Sequence, residues 1–150
     1  SISGGGFKVD SPLLPEIFPE FDGDIKKYDY NPDFAKQILE NSNWTDTDAD
    51  GFREKNGKKL EIELVVPLRK GLTEVGEQLK NDWEEAGIKV NMLNVPIIEL
   101  LQNYIQPRTY QVLIFGEILN VKPDPFSYWH SSQKKDPGLN LALYDNKGAD

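Results

Sequence analysis

The sequence predicts an α/β fold: a mainly parallel sheet with strands near 60–66, 88–93 and 111–116, joined by crossover helices in a three-layer-like arrangement. Three observations predict it. Leu60, Ile62, Leu64 and Val66 alternate with Glu61 and Glu63, and Ile88, Val90 and Met92 alternate again; a period of two is the period of a strand. Between them Leu72, Val75, Leu79, Trp83 and Ala86 recur at steps of three and four, the stripe of an amphipathic helix. The resulting order of strand, helix, strand, helix, strand requires two crossovers. Crossovers of this kind make the strands parallel and are right-handed almost always.

The elements follow in order. Residues 1–27 hold Pro12, Pro15 and Pro19. Each proline fixes φ and removes a donor, so this stretch reads as an extended lead-in packed on the lobe formed by residues 28–150. Asn31 and Pro32 are a cap and first-turn pair. Ala35, Ile38, Leu39 and Ser42 continue a helix that should end between Asn41 and Trp44. Polar turns follow, from Thr45 to Asn56 and at Asn56-Gly57. Pro67 stops the first strand, and Gly87 stands where a C-cap glycine belongs. Pro96 opens a short helix with Ile97, Leu100, Leu101 and Tyr104 on one side. The apolar run Val112 to Phe115 reads as a buried central strand. Asp124 and Pro125 repeat the cap and first-turn signal before Phe126 to His130.

Composition narrows the function. Of 150 residues, 38% are apolar and 28% charged, which suits a packed domain rather than a disordered chain. The formal net charge is −8. That argues against nucleic acid as a partner, which needs a basic surface, and against docking on anionic lipid. Cysteine is absent, so disulfides and thiolate chemistry are excluded. No run of 18 or more apolar residues is present, and nothing in the sequence is long and apolar enough to form a spanning helix. The opening Ser1-Ile2-Ser3-Gly4-Gly5-Gly6 and the closing Asn146 to Asp150 read as the ends of a piece of a longer chain.

Candidate sites come from topology first. Ligands of open parallel sheets collect beyond the carboxyl ends of the strands. Here those ends are Pro67 to Gly71, Asn94 to Pro96 and Gly116 to Val121. Arg69 in the first loop has the planar fork that grips a carboxylate by two parallel hydrogen bonds; an exposed loop charge is the alternative reading. Leu68 and Leu119 offer apolar contact. The segment Gly116, Glu117, Ile118, Leu119 and Asn120 offers backbone groups free of the ladder, with Gly116 allowing close approach; taken alone it also reads as a plain strand exit.

Other motifs read as structure. Asp46, Asp48, Asp50 and Gly51 match the first half of a calcium loop, but position twelve is Gly57 where a bidentate Glu belongs. Asp and Gly also suit a plain turn. His130 is the only histidine. Ser127, Ser131 and Ser132 are near it, but no nucleophile-elbow motif accompanies them. Gly4-Gly5-Gly6 follows no strand and lacks the Lys-Ser/Thr of a phosphate loop. Glu61, Glu63, Glu84 and Glu85 lie on solvent faces.

The order of segments resembles family 5 extracellular solute-binding proteins, the receptors of peptide, dipeptide and nickel ABC importers. Tyr28 to Leu39 resembles that family's YDPEKAKKLL helix. Trp44, Asp46 to Gly51 and Arg53 to Leu60 resemble its DTDGDG turn and EKDGKKL segment. Leu79 to Val90 is similar to its LK-IGI-V helix and strand. Tyr110 to Phe115, Asp124-Pro125 and Asn140 to Tyr144 follow in order, and Ser11 to Pro15 resembles the opening of the lobe. The resemblance implies a type II periplasmic-binding-protein-like lobe, most of the carboxy-terminal one, in a two-lobe receptor. It also implies that the loops at Pro67 to Lys70 and Gly116 to Asn120 face the interlobe cleft. Two departures stand out. The Asp that holds a peptide amino group in relatives has no counterpart among Asn120, Val121 and Lys122. Glu117 replaces a Trp common after the strand glycine.

What the resemblance implies is a ligand-binding lobe, not an enzyme, with no cofactor and no metal. Its partners are a small solute of peptide class, the amino-terminal lobe of the same chain and the membrane permease of an ABC importer. Its place is extracytoplasmic, as a periplasmic protein or a lipoprotein. A protein-interaction or regulatory module that kept the lobe, and more distantly an α/β hydrolase, are the alternatives.

Overall fold

The computed structural model describes residues 26–117 and 124–150. All but Lys26 and Lys27 of the expected lead-in, and Ile118, Leu119 and Asn120 of the expected site, lie outside the described residues. The chain divides into two compact units. Asp29–Ile97 and Tyr110–Phe115 belong to the first; Ile98–Thr109 and Gly116–Asp150 belong to the second.

In the first unit, helix α1 spans Pro32–Asn41, and the Asn31 side chain accepts from the Phe34 amide. Asn43 then takes a left-handed φ of 61°. Its amide donates to the Glu40 carbonyl and that of Trp44 to the Leu39 carbonyl, both at 2.9 Å. These two bonds form a Schellman motif, which satisfies carbonyls the helix end would leave bare. Strands β1 (Glu54–Lys55) and β2 (Lys58–Lys59) form a hairpin. Asn56 and Gly57 turn it with φ of 54° and 74°, the double left-handed geometry of a type I′ turn.

Strand β3 (Glu61–Pro67), helix α2 (Leu72–Glu85), strand β4 (Lys89–Val95) and strand β5 (Val112–Leu113) build the sheet. Helix α2 ends like α1: the Gly87 amide meets the Glu84 carbonyl and the Ile88 amide meets that of Trp83. All pairs are parallel, in the order β4-β3-β5. The α/β class with a parallel sheet is therefore as the sequence predicts. The strand order corrects the expectation for residues 111–116: β3 is central among the described strands, and β5 is short and lies beside it. An apolar run reports burial on both faces but not position in the sheet. It is β3 that carries Leu64, Val65 and Val66, all fully buried; its second half is covered on both faces despite the alternation that begins it.

Leu64, Val66 and Val90 form the core, packed by Ile62, Leu79, Trp83, Met92, Val112 and Ile114. Helix α2 reaches the sheet through Gly76. A Cβ there would lie 2.9 Å from Val66 Cγ2 and 3.2 Å from Met92 Sδ.

Helix α3 (Ile97–Glu99) begins in the first unit and runs on as a π-helix, Leu100–Ile105. The Gln106 amide donates to the Leu101 carbonyl, five residues back. Leu100 and Ile105 are the buried side chains, again five apart, whereas Ile97 and Leu101 are exposed. The single stripe expected of Ile97, Leu100, Leu101 and Tyr104 assumes 3.6 residues per turn, and the wider coil changes which residues share a face.

In the second unit, helix α4 spans Pro125–Trp129 and Asp124 caps it by accepting from the Phe126 amide. Two side chains hold the segments that follow. Arg108 donates to the carbonyls of Lys134 at 2.9 Å and Gly138 at 2.6 Å, and also to that of Ile105. Asn140, fully buried, donates to the carbonyls of Trp129, His130 and Tyr144 and accepts from the Tyr144 amide.

Candidate functional site

Pro67 closes the ladder of β3, and the chain then turns at once. The Leu68 amide still reaches the Val95 carbonyl at 2.8 Å, and the Arg69 amide folds back on the Pro67 carbonyl at 2.7 Å. The Arg69 carbonyl accepts from the Leu72 and Thr73 amides and from the Thr73 hydroxyl. Gly71, at φ 90°, completes the entry into α2. The backbone of this loop is thus pinned to the first turn of a helix, while its side chains face outward. Leu68 is 64% exposed. The guanidinium of Arg69 and the ammonium of Lys70 are exposed and have no hydrogen-bond or ion-pair partner among the described residues.

The register extends this edge across the sheet. Pro67 pairs with Val95, and Val65 with Leu113. Ile97 lies two residues past the first of these partners and Phe115 two past the second. Neighbouring strands run about 4.8 Å apart, so both chain exits flank that of Leu68. Ile97 is 52% and Phe115 38% exposed. Sequence reasoning missed both. It located the three strand ends, but placed the loops at 94–96 and 116–121, one residue short of Ile97 and one beyond Phe115. The available signal was the same as for Leu68: a large apolar side chain at a strand exit.

Gly116 and Glu117 belong to the second unit. A Cβ on Gly116 would meet nothing within 4 Å, so no close packing demands glycine there. Burial raises the Glu117 carboxyl above its ordinary value. Glu117 still presents surface to solvent, so the burial that raises its carboxyl is partial.

The remaining motifs are occupied by structural bonds. Gly51 donates to Asp46, Asp50 to Asp48 and Phe52 to Asp50 through their backbone amides. The Lys59 ammonium lies 3.5 Å from Asp48 and also bonds Asp50. The Asp46-Asp48-Asp50 cluster is therefore an Asx-rich turn with a lysine set against two of its three carboxylates. His130 Nδ1 lies 2.9 Å from the Ser132 hydroxyl and accepts the Ser132 amide at 3.1 Å. Asp150 bonds Ser131, whose hydroxyl and amide hold its carboxyl below the ordinary range. The acid thus serves the wrong serine for a triad. A surface cavity of about 510 Å³ lies at the amino-terminal end of the strands. Arg53 lines it and is spent on the Ala86 and Trp44 carbonyls and on Glu40, a clasp between α1 and the end of α2.

Residues 1–138 match the family described as bacterial extracellular solute-binding proteins, family 5 Middle. The chain is 35% identical over 135 residues to the oligopeptide-binding protein AppA of Bacillus subtilis strain 168, covering 86% of this chain and 24% of that protein. It is 30% identical over 90 residues to the oligopeptide-binding protein OppA of Lactococcus lactis subsp. lactis, covering 58% of this chain and 15% of that protein. Among solved structures, Bacillus subtilis AppA in complex with a nonapeptide superposes with a TM-score of 0.79 at 29% identity, over 97% of this chain and 29% of that one. NikZ from Campylobacter jejuni in complex with Ni(L-His) superposes with a TM-score of 0.74 at 22% identity, over 94% of this chain and 28% of that one, which shows a shared fold. The chain spans about a quarter of the length of AppA.

Proposed function

The chain belongs to the bacterial extracellular solute-binding proteins of family 5, and from that premise we propose that it forms one wall of the ligand site of an oligopeptide receptor. The receptor works outside the cytoplasmic membrane and hands its ligand to the permease of an ABC importer. Its role is binding, without covalent chemistry.

The observation that carries this reading is the strand-end edge of the first unit, with Arg69 unpaired among the described residues and next to exposed Leu68. A cation without a partner among the described residues, on a chain of net charge −8, is available to an anionic group. Guanidinium and carboxylate pair through two parallel hydrogen bonds. The loop backbone is pinned by α2, so the side chain is presented from a fixed base, which lowers the ordering cost of binding. The rest of the receptor supplies the opposing wall, and hinge closure of two lobes encloses the ligand. Gly116 and Glu117, together with Ile118, Leu119 and Asn120, are proposed as a second set of contacts, to be tested on their own.

The test is to purify the full-length receptor under native conditions, unfold it, and identify the released molecule by mass spectrometry. A mixture of short peptides is the expected result. A sugar or a metal chelate would discard the peptide. Alanine at Arg69 and, separately, at Glu117 should weaken binding; unchanged affinity removes that residue from the site.

A further inference from the structure

We propose that the strand-end edge of the first unit selects peptides whose carboxy-terminal residue is large and apolar. This rests on the peptide-receptor reading and deepens it.

Three exposed apolar side chains, Leu68, Ile97 and Phe115, leave the carboxyl ends of β3, β4 and β5. They come from three separate segments, and only the parallel register brings them to one edge. Among the described residues, the other large apolar side chains that this unit exposes are Tyr30, Phe34 and Ile38. These belong to α1 and its approach, which the Arg53 clasp ties to the amino-terminal end of the strands. The strand-end cluster is therefore a distinct patch.

Its chemistry is mixed in a specific way. Arg69 follows Leu68 directly, and Lys70 follows Arg69; both are exposed without partners among the described residues. The patch thus offers apolar surface and positive charge on one edge of the sheet. Leu68 and Phe115 follow adjacent strands whose backbones run about 4.8 Å apart, so both border the same edge of the sheet. A polar peptide end would satisfy the charge but leave the apolar surface wet. An internal peptide residue would cover the apolar surface but bring no carboxylate. The occupant that satisfies both is a carboxy-terminal Leu, Ile, Met or Phe with a free carboxylate.

The experiment is calorimetric titration of the full-length receptor with four peptides: Ala-Ala-Leu, Ala-Ala-Phe, Ala-Ala-Ser and the amide of Ala-Ala-Leu. Burying a side chain of this size corresponds to roughly 10- to 100-fold in affinity, so the Leu and Phe peptides should bind that much more tightly than the Ser peptide. The amide should bind less tightly than the acid. Leu68→Ser and Phe115→Ser should bring the Leu peptide to the level of the Ser peptide, and Arg69→Gln should erase the preference for acid over amide. Circular dichroism confirms that each variant is folded. Equal affinity for the Leu and Ser peptides would overturn the selectivity and leave the peptide receptor standing. A Leu preference that survives both serine variants would place the selectivity elsewhere and overturn the assignment. Failure of all four peptides to bind would overturn the peptide reading itself.

Discussion

Asn140 shows how much one side chain can organise. It is fully buried and meets four backbone groups through its amide. Asn140→Ala would strand three carbonyls and one amide, and such losses cost about 1–3 kcal/mol when the groups stay dry. We expect a loss toward the upper end of that range, read as a lower denaturant midpoint with an unchanged slope. Glu61 supplies a residue-level pH dependence. A hydrogen bond from Asn91, followed by the hydrogen bond and charge of Lys89, holds its carboxyl below the ordinary value. Unfolding restores that value, so the unfolded chain binds the proton more readily. The stabilisation is present above the ordinary carboxylate range and is lost as pH falls through the lowered folded value. Glu61→Gln should flatten the stability profile below about pH 4, measured by urea unfolding at a series of pH values; an identical slope in both proteins would refute the linkage. Residues of the capping kind were readable in advance. Asn31 and Asp124 act within three residues of themselves, and such bonds need no tertiary information. Asn140 was not readable as a buried anchor, because the carbonyls of Trp129 and His130 reach it only through the folded loop.

Helix α2 and strand β3 meet where opposing effects must be weighed. Gly76 lies inside the helix, where alanine would favour helix formation by about 1 kcal/mol. Its missing Cβ makes room for Val66. Val66 is β-branched and fully buried, so it cannot rotate aside, and overpacking of this kind costs about 1–3 kcal/mol. Gly76→Ala should therefore destabilise by about 1 kcal/mol. In a Val66→Ala background the same change should become stabilising. Thermal unfolding of the four proteins closes that cycle, and a stabilising effect in the native background would show that the sheet yields. At this scale the periods of two and of three to four revealed β3, α2 and β4, since each follows from which side of one element is covered. The π-helical turn at Leu100–Ile105 was hidden, because a period of five appears only once the backbone is in place. The position of β5 beside a central β3 was hidden too, since an apolar run looks the same in the middle of a sheet and beside it.

Across the whole molecule, the sequence by itself determined the α/β class, the parallel sense of the strands, and the caps and turns, and it proposed the edge on which a ligand should be sought. Those features follow from interactions within a few residues and from the handedness of crossovers, both of which a linear pattern carries. Arg69 and Leu68 were legible as residues of the loop at that edge for the same reason: they come directly after a strand whose end a proline marks. The tertiary structure alone decided the order β4-β3-β5, the division into two units, and the placing of Leu68, Ile97 and Phe115 along one sheet edge. Strand order is chosen by contacts between segments far apart in the chain. Which side chains stay exposed depends on every neighbour that could have covered them, and that information exists only once the chain has closed on itself.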